Sequence, residues 1–140
     1  MHYTKALKEL KEGFQLSHAV FGDIDLQAHR DWEEKVCANA GLIAVIPLWK
    51  QDRRALVMQM LEAGIETMIA SCNEIMGERF IGQRITPSLV DELELLGVDA
   101  CGENGEYHTL VLDCPLFSSA IDVRVEERVK HEGYWFGRLR

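Results

Sequence analysis

The sequence predicts an α/β fold in its N-terminal part, followed by an α+β fold with antiparallel strands. In the first part, short apolar runs alternate with amphipathic helical stripes, a pattern typical of parallel strands covered by helices. In the last part, apolar residues recur at every second position, which is typical of strands with one buried face. We expect one domain over residues 1–50 and another over residues 51–140.

The expected elements of the first domain follow from apolar spacing and from glycine stops. In chain order they are a helix over residues 3–12 that ends at Gly13, a strand over 14–21, a helix over 26–40 and a strand over 42–46. Gly41 stands where a left-handed helix cap would lie. The uninterrupted apolar run 42–46 predicts a strand that is buried on both faces.

The second domain begins with the same alternation. Asp52 is placed to cap a helix that ends at Gly64, and residues 65–71 form another apolar run, which we take as the next strand of the parallel series. Thr86, followed by Pro87, predicts a further helix start. Strands of period two are then expected over residues 107–113 and 121–126, with a turn at 131–133 into a last strand over 134–139.

The charge balance argues against two classes of partner. The chain has 15 basic and 23 acidic residues, a formal net charge of −8, whereas nucleic acids and anionic membranes attract basic surfaces. The longest uncharged segment, residues 36–49, is too short to span a bilayer. The four cysteines form no C-x-x-C pair, so we expect free thiols that are buried or half-buried in a cytoplasmic protein.

Polar segments that follow the predicted parallel strands mark the expected ligand edge of the sheet. In the segment 22–30, Gly22 allows close approach of a ligand, and Asp23 or Asp25 could bind a ribose hydroxyl or a hydrated Mg²⁺. The alternative is structural: the aspartates cap the next helix, and His29 faces the core together with Trp32.

Two arginines open the predicted helix after Asp52. Arg53 and Arg54 lie in its first turn, where positive charge opposes the helix dipole at a cost of about 0.3–1 kcal/mol each. A bound anion would relieve this cost. Asp52 or a glutamate distant in the sequence could do the same.

Residues 101–109 concentrate glycine, glutamate, histidine and threonine before a predicted strand. Period-two spacing places Glu106 and His108 on one face, where they could act as a base and its orienting group or bind a metal together. The alternative is a plain turn that leads into an edge strand.

Several motifs, taken together, resemble a known family. They are Gly22-Asp23-Ile24, Pro47-Leu48-Trp49, Phe80-Ile81-Gly82-Gln83-Arg84, Gly102-Glu103-Asn104-Gly105-Glu106-Tyr107-His108-Thr109 and Asp113-Cys114-Pro115-Leu116-Phe117. Their order resembles that in diphthine–ammonia ligase-like proteins, which are N-type ATP pyrophosphatases of the adenine nucleotide alpha hydrolase superfamily. The resemblance covers residues 3–123, and the Gly-Glu-Asn variant looks like bacterial members.

The resemblance implies a fold and a reaction. Residues 1–50 would be the C-terminal part of a Rossmann-like nucleotide-binding domain with an incomplete parallel sheet, and residues 51–140 a substrate subdomain. ATP and Mg²⁺ would be the cofactors of an AMP- and pyrophosphate-forming amide ligase that acts on a carboxylate-bearing substrate. The residues implied are Gly22, Asp23 and Ile24 at the nucleotide, His29, Arg30, Trp49, Arg53 and Arg54 at the substrate or phosphates, and Glu103, Glu106, His108 and Thr109 in catalysis, with no protein metal ligand.

One feature of the family is missing from the sequence. The family's Ser-Gly-Gly-x-Asp-Ser loop, which binds pyrophosphate, does not occur. We therefore expect a truncated or split ligase that either forms a homo-oligomer or takes the loop from a second chain, since its sheet would expose an edge or a face. The alternatives are a non-catalytic module that binds a nucleotide or substrate, and a fragment that folds only as an oligomer.

Overall fold

The computed structural model describes residues 2–140 of the chain. These residues divide into two compact units, one that ends at Gln51 and one that runs from Asp52 to Arg140. The first unit contains a two-stranded parallel sheet with helices, and the second an antiparallel sheet of four strands with helices. The predicted α/β class, with parallel strands first and antiparallel strands later, is confirmed at this level.

The first unit consists of two helix–strand pairs. They are α1 (His2–Phe14), β1 (His18–Val20), α2 (Gln27–Ala40) and β2 (Ile43–Val45). Ala19 pairs with Ala44 in the parallel register, and these two residues pack against a small core formed by Cys37, Ala40 and Leu42. Gly41 ends α2 in the left-handed conformation, as predicted, with φ at 71°.

Two expectations for the first unit are wrong. Helix α1 continues through Gly13, and the chain leaves it at Gln15, whose φ is 53°, so the first strand is three residues long and does not span 14–21. Strand β2 is not buried on both faces, since Ile43 is 59% exposed. The cause is the size of the sheet, because two strands with helices packed on one face leave the other face open.

The second unit is built around a central strand. Its elements are α3 (Arg53–Glu62), β3 (Glu66–Asn73), a 3₁₀ turn (Glu78–Phe80), α4 (Pro87–Leu95), β4 (Tyr107–Asp113), β5 (Val125–His131) and β6 (Tyr134–Leu139). The sheet order is β4-β3-β6-β5, and every pairing is antiparallel. The core includes Ile69 of β3 and Phe80, Val90 and Leu93, which are almost fully buried.

Strand β3 corrects the expected topology. We took residues 65–71 as a further parallel strand, but β3 pairs antiparallel with β4 and β6. The apolar run indicates that the strand is buried, and a buried strand can pair in a parallel or an antiparallel direction. The strand expected from residue 121 is also wrong in its start, since β5 begins at Val125.

The helix caps and the turn that the sequence predicts from neighbouring residues are confirmed. Asp52 caps α3 by accepting a hydrogen bond from the Ala55 amide at 2.8 Å, and Thr86 caps α4 through the Leu89 amide at 3.2 Å. The turn between β5 and β6 places Glu132 and Gly133 at positive φ, which is the geometry that two-residue hairpins prefer.

The four cysteines are free, two of them buried and two half-buried, as expected. Within residues 2–140, no helix combines the length and the hydropathy needed to cross a membrane.

Candidate functional site

The loop before β4, together with the start of β4, forms a cavity of about 410 Å³, which we call the motif cavity. Its lining consists of Cys101, Gly102, Glu103, Gly105, Tyr107, His108 and Thr109. Three of the four predicted catalytic side chains, those of Glu103, His108 and Thr109, therefore line one cavity. Both His108 and Thr109 are exposed on β4, within reach of a ligand.

Glu106, the fourth predicted catalytic residue, holds the loop together. Its Oε2 accepts a hydrogen bond from the Asn104 amide at 3.0 Å, and its Oε1 accepts from the Asn104 side chain at 3.1 Å and from the Asp99 amide at 3.3 Å. Within residues 2–140, the imidazole of His108 is not among the partners of this carboxylate. The pairing of β3 with β4 shifts register beside His108, where β3 contains one extra residue, Ala70.

Two tyrosine hydroxyls fix the loop backbone. Tyr107 donates to the carbonyl of Ala100 at 2.5 Å, and Tyr134 donates to the carbonyl of Gly105 at 3.0 Å. Burial raises the pKa of Tyr107, so its hydroxyl stays a neutral donor. Sequence reasoning missed both residues, and for Tyr134 no local signal exists, since it lies on β6, 29 residues from its partner.

Close packing against Tyr107 explains one glycine of the motif. Gly102 has a φ of 68°, and a Cβ placed there would lie 3.0 Å from both the Tyr107 ring and the Tyr107 carbonyl oxygen. Any larger residue would be strained by its backbone and would displace the ring. The first glycine of the motif is therefore required by the shape of the loop.

The thiol of Cys101 is an unreactive member of the cavity lining. It donates to the carbonyl oxygen of Arg53 at 3.1 Å, and burial, reinforced by the charge of Glu103, raises its pKa to about 11. Since the thiolate is the nucleophilic form, this cysteine is not an activated nucleophile at neutral pH.

Both arginines at the start of α3 form ion pairs with carboxylates of the second unit. Arg54 forms ion pairs with Asp91 at 2.5 Å and with Glu94, and Arg53 pairs with Asp99, whose side chain is 6% exposed. These carboxylates offset the unfavourable position of the arginines in the helix dipole. The structure thus realises the alternative in which acidic residues distant in the sequence relieve the cost.

Asp23, which the sequence predicts to lie at the nucleotide, belongs to a group of interacting side chains in the first unit. Its Oδ1 lies 2.6 Å from Nδ1 of His29, and it also shares a hydrogen bond with Glu33. His29 is exposed, so the alternative of a core-facing histidine is wrong. Glu33, which the sequence analysis missed, is 3% exposed and lies one helical turn after His29.

Burial governs the protonation of these hydrogen-bonded side chains. Burial raises the pKa of Glu33 to about 7, and the neighbouring Asp23 carboxylate adds to the effect. The hydrogen bond from Glu33, and then that from His29, lowers the pKa of Asp23. Within residues 2–140, Oε2 of Glu33 is buried without a hydrogen-bond partner. Below about pH 7 the arrangement keeps a proton on Glu33 and the negative charge on Asp23.

The remaining predicted residues of the first unit lie beside this turn. The carbonyl of Ile24 accepts from the Lys50 amide at 2.7 Å, which brings the Trp49 segment to the turn 22–24. The guanidinium of Arg30 lies 5.0 Å from the Trp49 ring centre and also pairs with Glu34. No atom lies within 4 Å of a Cβ built on Gly22, so the space above this glycine is open.

Within the described part of the chain, no three histidine, cysteine, aspartate or glutamate side chains are grouped so that they could hold a metal ion.

Comparison with known proteins gives the family. The sequence profile described as diphthamide synthase C-terminal domain matches residues 52–139, which include the whole motif cavity. Diphthine–ammonia ligases of Danio rerio and Homo sapiens are each 32% identical over 130 residues, or 89% of this chain, and the alignment covers 51% and 49% of the two relatives. That of Schizosaccharomyces pombe is 34% identical over 103 residues, 70% of this chain and 17% of the relative.

The chain thus spans about half the length of the vertebrate relatives that it matches. The match to the family profile extends over most of the second unit, from the cap of α3 to the last strand. On this evidence the chain belongs to the diphthine–ammonia ligase-like family, through a diphthamide synthase C-terminal domain that occupies residues 52–139.

Proposed function

We propose that the chain is part of an ATP-dependent amide ligase and that its motif cavity binds the carboxylate-bearing substrate. The observation that carries this proposal is the cavity itself, which brings Glu103, His108 and Thr109 together inside the segment that matches the family. The relatives are named for the ligation of ammonia to diphthine, so diphthine is the substrate to test first.

The proposed reaction has two steps. An oxygen of the substrate carboxylate attacks the α-phosphorus of ATP, and pyrophosphate leaves. The nitrogen of ammonia then attacks the activated carbonyl carbon, AMP leaves with the electron pair of the broken C–O bond, and the nitrogen loses a proton as the amide forms.

Each side chain in the cavity has a role that suits its chemistry. His108 and Thr109 can donate hydrogen bonds to the substrate carboxylate, whereas the negative charge of Glu103 suits the ammonium ion from which ammonia is drawn. Glu106 is a positioning residue in this scheme, because its carboxylate binds the Asn104 and Asp99 amides and so holds the loop in shape.

The first unit would contribute to the nucleotide site. Gly22 offers open space, Ile24 anchors the Trp49 segment, and Asp23 can accept a hydrogen bond from a ribose hydroxyl. Magnesium would arrive bound to the phosphates, since the described residues group no set of three ligands for it. We further propose that the pyrophosphate-binding loop is supplied from outside residues 1–140.

Calorimetric titration of the full chain with diphthine tests the substrate site directly. We expect saturable binding that weakens about tenfold or more in His108→Ala, because a hydrogen bond to a charged group is lost. Glu62→Gln, at the exposed end of α3, is the matched control and should bind as the parent does.

Two results would contradict the proposal. One is no heat of binding at millimolar diphthine from a folded chain. The other is binding that His108→Ala and Thr109→Val leave unchanged. Titration with Mg²⁺-ATP and with AMP, alone and after saturation with diphthine, then tests the nucleotide site separately, with Asp23→Asn as the variant.

A further inference from the structure

A second cleft in the same unit shares none of its lining residues with the motif cavity. Its volume is about 330 Å³, and its polar lining consists of Arg79, Gln83, Arg84 and Arg128. Among the described residues, no carboxylate lines it, although the chain as a whole carries a net charge of −8. We call this site the arginine cleft.

Backbone hydrogen bonds fix one wall of the arginine cleft. The Gly82 amide donates to the carbonyl of Ile69 on β3 at 2.9 Å, and the Ile69 amide donates to the carbonyl of Gln83 at 2.9 Å. Gly82 has a φ of 88°, and a Cβ placed there would lie 3.0 Å from Val125 of β5. The glycine thus allows the segment 82–85 to lie close to β5, and the wall is formed before any ligand arrives.

Strand β5 contributes to the cleft an arginine that has no acidic partner among the described residues. Arg128 of β5 pairs in register with Gly137 of β6, and a Cβ on Gly137 would lie 3.0 Å from the Ile81 side chain. Ile81 therefore fits over the glycine, and Nη2 of Arg128 donates to the Ile81 carbonyl at 3.3 Å. Within residues 2–140, no carboxylate pairs with Arg128, so most of its five N–H donors remain available to a ligand.

The other two arginines have exchangeable partners. Arg84 pairs with Glu66 and Arg79 with Glu92, and every one of these side chains is at least 40% exposed. Exposed ion pairs of this kind contribute at most about 1 kcal/mol, so an anion in the cleft can replace either glutamate at little cost.

The floor of the cleft is apolar. It consists of the half-buried side chains of Val123 and Val125, beneath which Met68, Ile81 and Leu112 are each at most 5% exposed. A cleft of this volume is at the small end of the range for ligand sites, about 300–1,000 Å³. The combination of an apolar floor with guanidinium walls suits a small organic molecule that has an anionic group at one end.

We propose that the arginine cleft binds a small organic anion, whose phosphate or carboxylate group lies between Arg128 and Arg84 and whose apolar part contacts Val123 and Val125. The planar guanidinium group can donate two parallel hydrogen bonds to either anion. The proposal does not depend on amide ligation, because none of these residues lines the motif cavity.

Titration of the full chain at fixed ionic strength tests the proposal with three probes: phenyl phosphate, benzoate and inorganic phosphate. We expect saturable binding of at least one aromatic anion, tighter than that of inorganic phosphate because of the apolar floor. Arg128→Met should weaken this binding about tenfold or more, and Arg84→Met should weaken it less. Arg138→Met replaces an exposed arginine of β6 that pairs with Glu127; it is the matched control and should bind normally.

The comparison of phenyl phosphate with benzoate identifies which anion the cleft prefers. Absence of saturable binding at millimolar concentrations of both, or an equal loss in Arg138→Met, would overturn the proposal. Amide chemical shifts of the unmodified chain give a readout that no variant can compromise. The probe should shift the amide resonances of Gly82 and Arg128. If these resonances do not shift at a probe concentration that saturates the calorimetric signal, the ligand binds elsewhere.

Discussion

At the scale of single residues, the carboxyl of Glu33 shows how burial decides protonation. It lies inside the first unit, 3% exposed, with Asp23 and exposed His29 linking it to the surface. A charged Glu33 would be buried beside the charge of Asp23, with one oxygen lacking a partner among the described residues. Protonation removes that repulsion and supplies the hydrogen that the two carboxyl groups share.

The pH dependence of stability follows from this arrangement. Folding raises the pKa of Glu33 from 4.5 to about 7, so the native state binds more protons than the unfolded state between these values. The stabilisation is complete below about pH 4.5 and is lost as the pH rises through 7. A shift of this size corresponds to about 3 kcal/mol at most. The lowered pKa of Asp23 acts in the opposite direction, and only in more acidic solution.

Urea unfolding of the first unit at several pH values measures this effect. With Trp135→Phe as the background, Trp32 and Trp49 report the first unit alone. Glu33→Gln keeps the size of the side chain and should remove most of the loss of stability between pH 4.5 and 7, whereas exposed Glu34→Gln should retain it. An unmodified unit whose stability does not change over this range would refute the argument.

At the scale of secondary structure elements, the stability of α4 depends on the cap of its first turn. Thr86 accepts the Leu89 amide at 3.2 Å, and Leu89, Val90 and Leu93 bury the helix against the second unit's core. Loss of a capping oxygen costs about 1 kcal/mol.

The cap can be tested by two substitutions at one position. Thr86→Ala should lower the free energy of unfolding of the second unit by about 1 kcal/mol, and Thr86→Ser, which keeps the oxygen, should recover most of the loss. Fluorescence of Trp135, with the other two tryptophans replaced by phenylalanine, follows this unit in urea. Equal stability of the alanine and serine variants would show that the hydrogen bond contributes nothing.

The elements that sequence predicts well are those set by neighbouring residues. Asp52, Thr86 and Gly41 each act on amides or carbonyls of their own helix, so their roles could be derived from local chemistry. The direction of β3 could not be derived from local chemistry. Its partners come from residues 107–113 and 134–136, and only the folded chain brings them to β3.

The candidate site divides in the same way. The sequence predicts which segment carries the polar groups, and Glu103, His108 and Thr109 do line one cavity. It does not predict that Glu106 turns back to the loop, because the Asp99 and Asn104 amides that bind its carboxylate are brought together only in the folded loop. Nor does it predict Tyr134 or Glu33, whose roles depend on contacts between elements.

At the scale of the whole molecule, the two units differ in how completely they bury their sheets. The four-stranded sheet has a large buried core, whereas the parallel pair of the first unit has a small one. Ala19 and Ala44 face that core, so the alternate residues of β1 and β2 lie on the other face, where Val20 is 69% and Ile43 is 59% exposed. We call this surface the open face. Parallel sheets are rarely exposed in this way.

Self-association through the open face is therefore our last prediction. We expect the full chain to form oligomers as its concentration rises, because covering Val20 and Ile43 removes apolar area from water. Val20→Lys and Ile43→Lys should shift the chain toward monomer in sedimentation velocity experiments. Ile75→Lys alters a residue that is 73% exposed in the second unit and should change nothing. If all three variants sediment like the unmodified chain, the open face is not the contact, whereas a monomer at every concentration would leave a second polypeptide as the candidate to cover it.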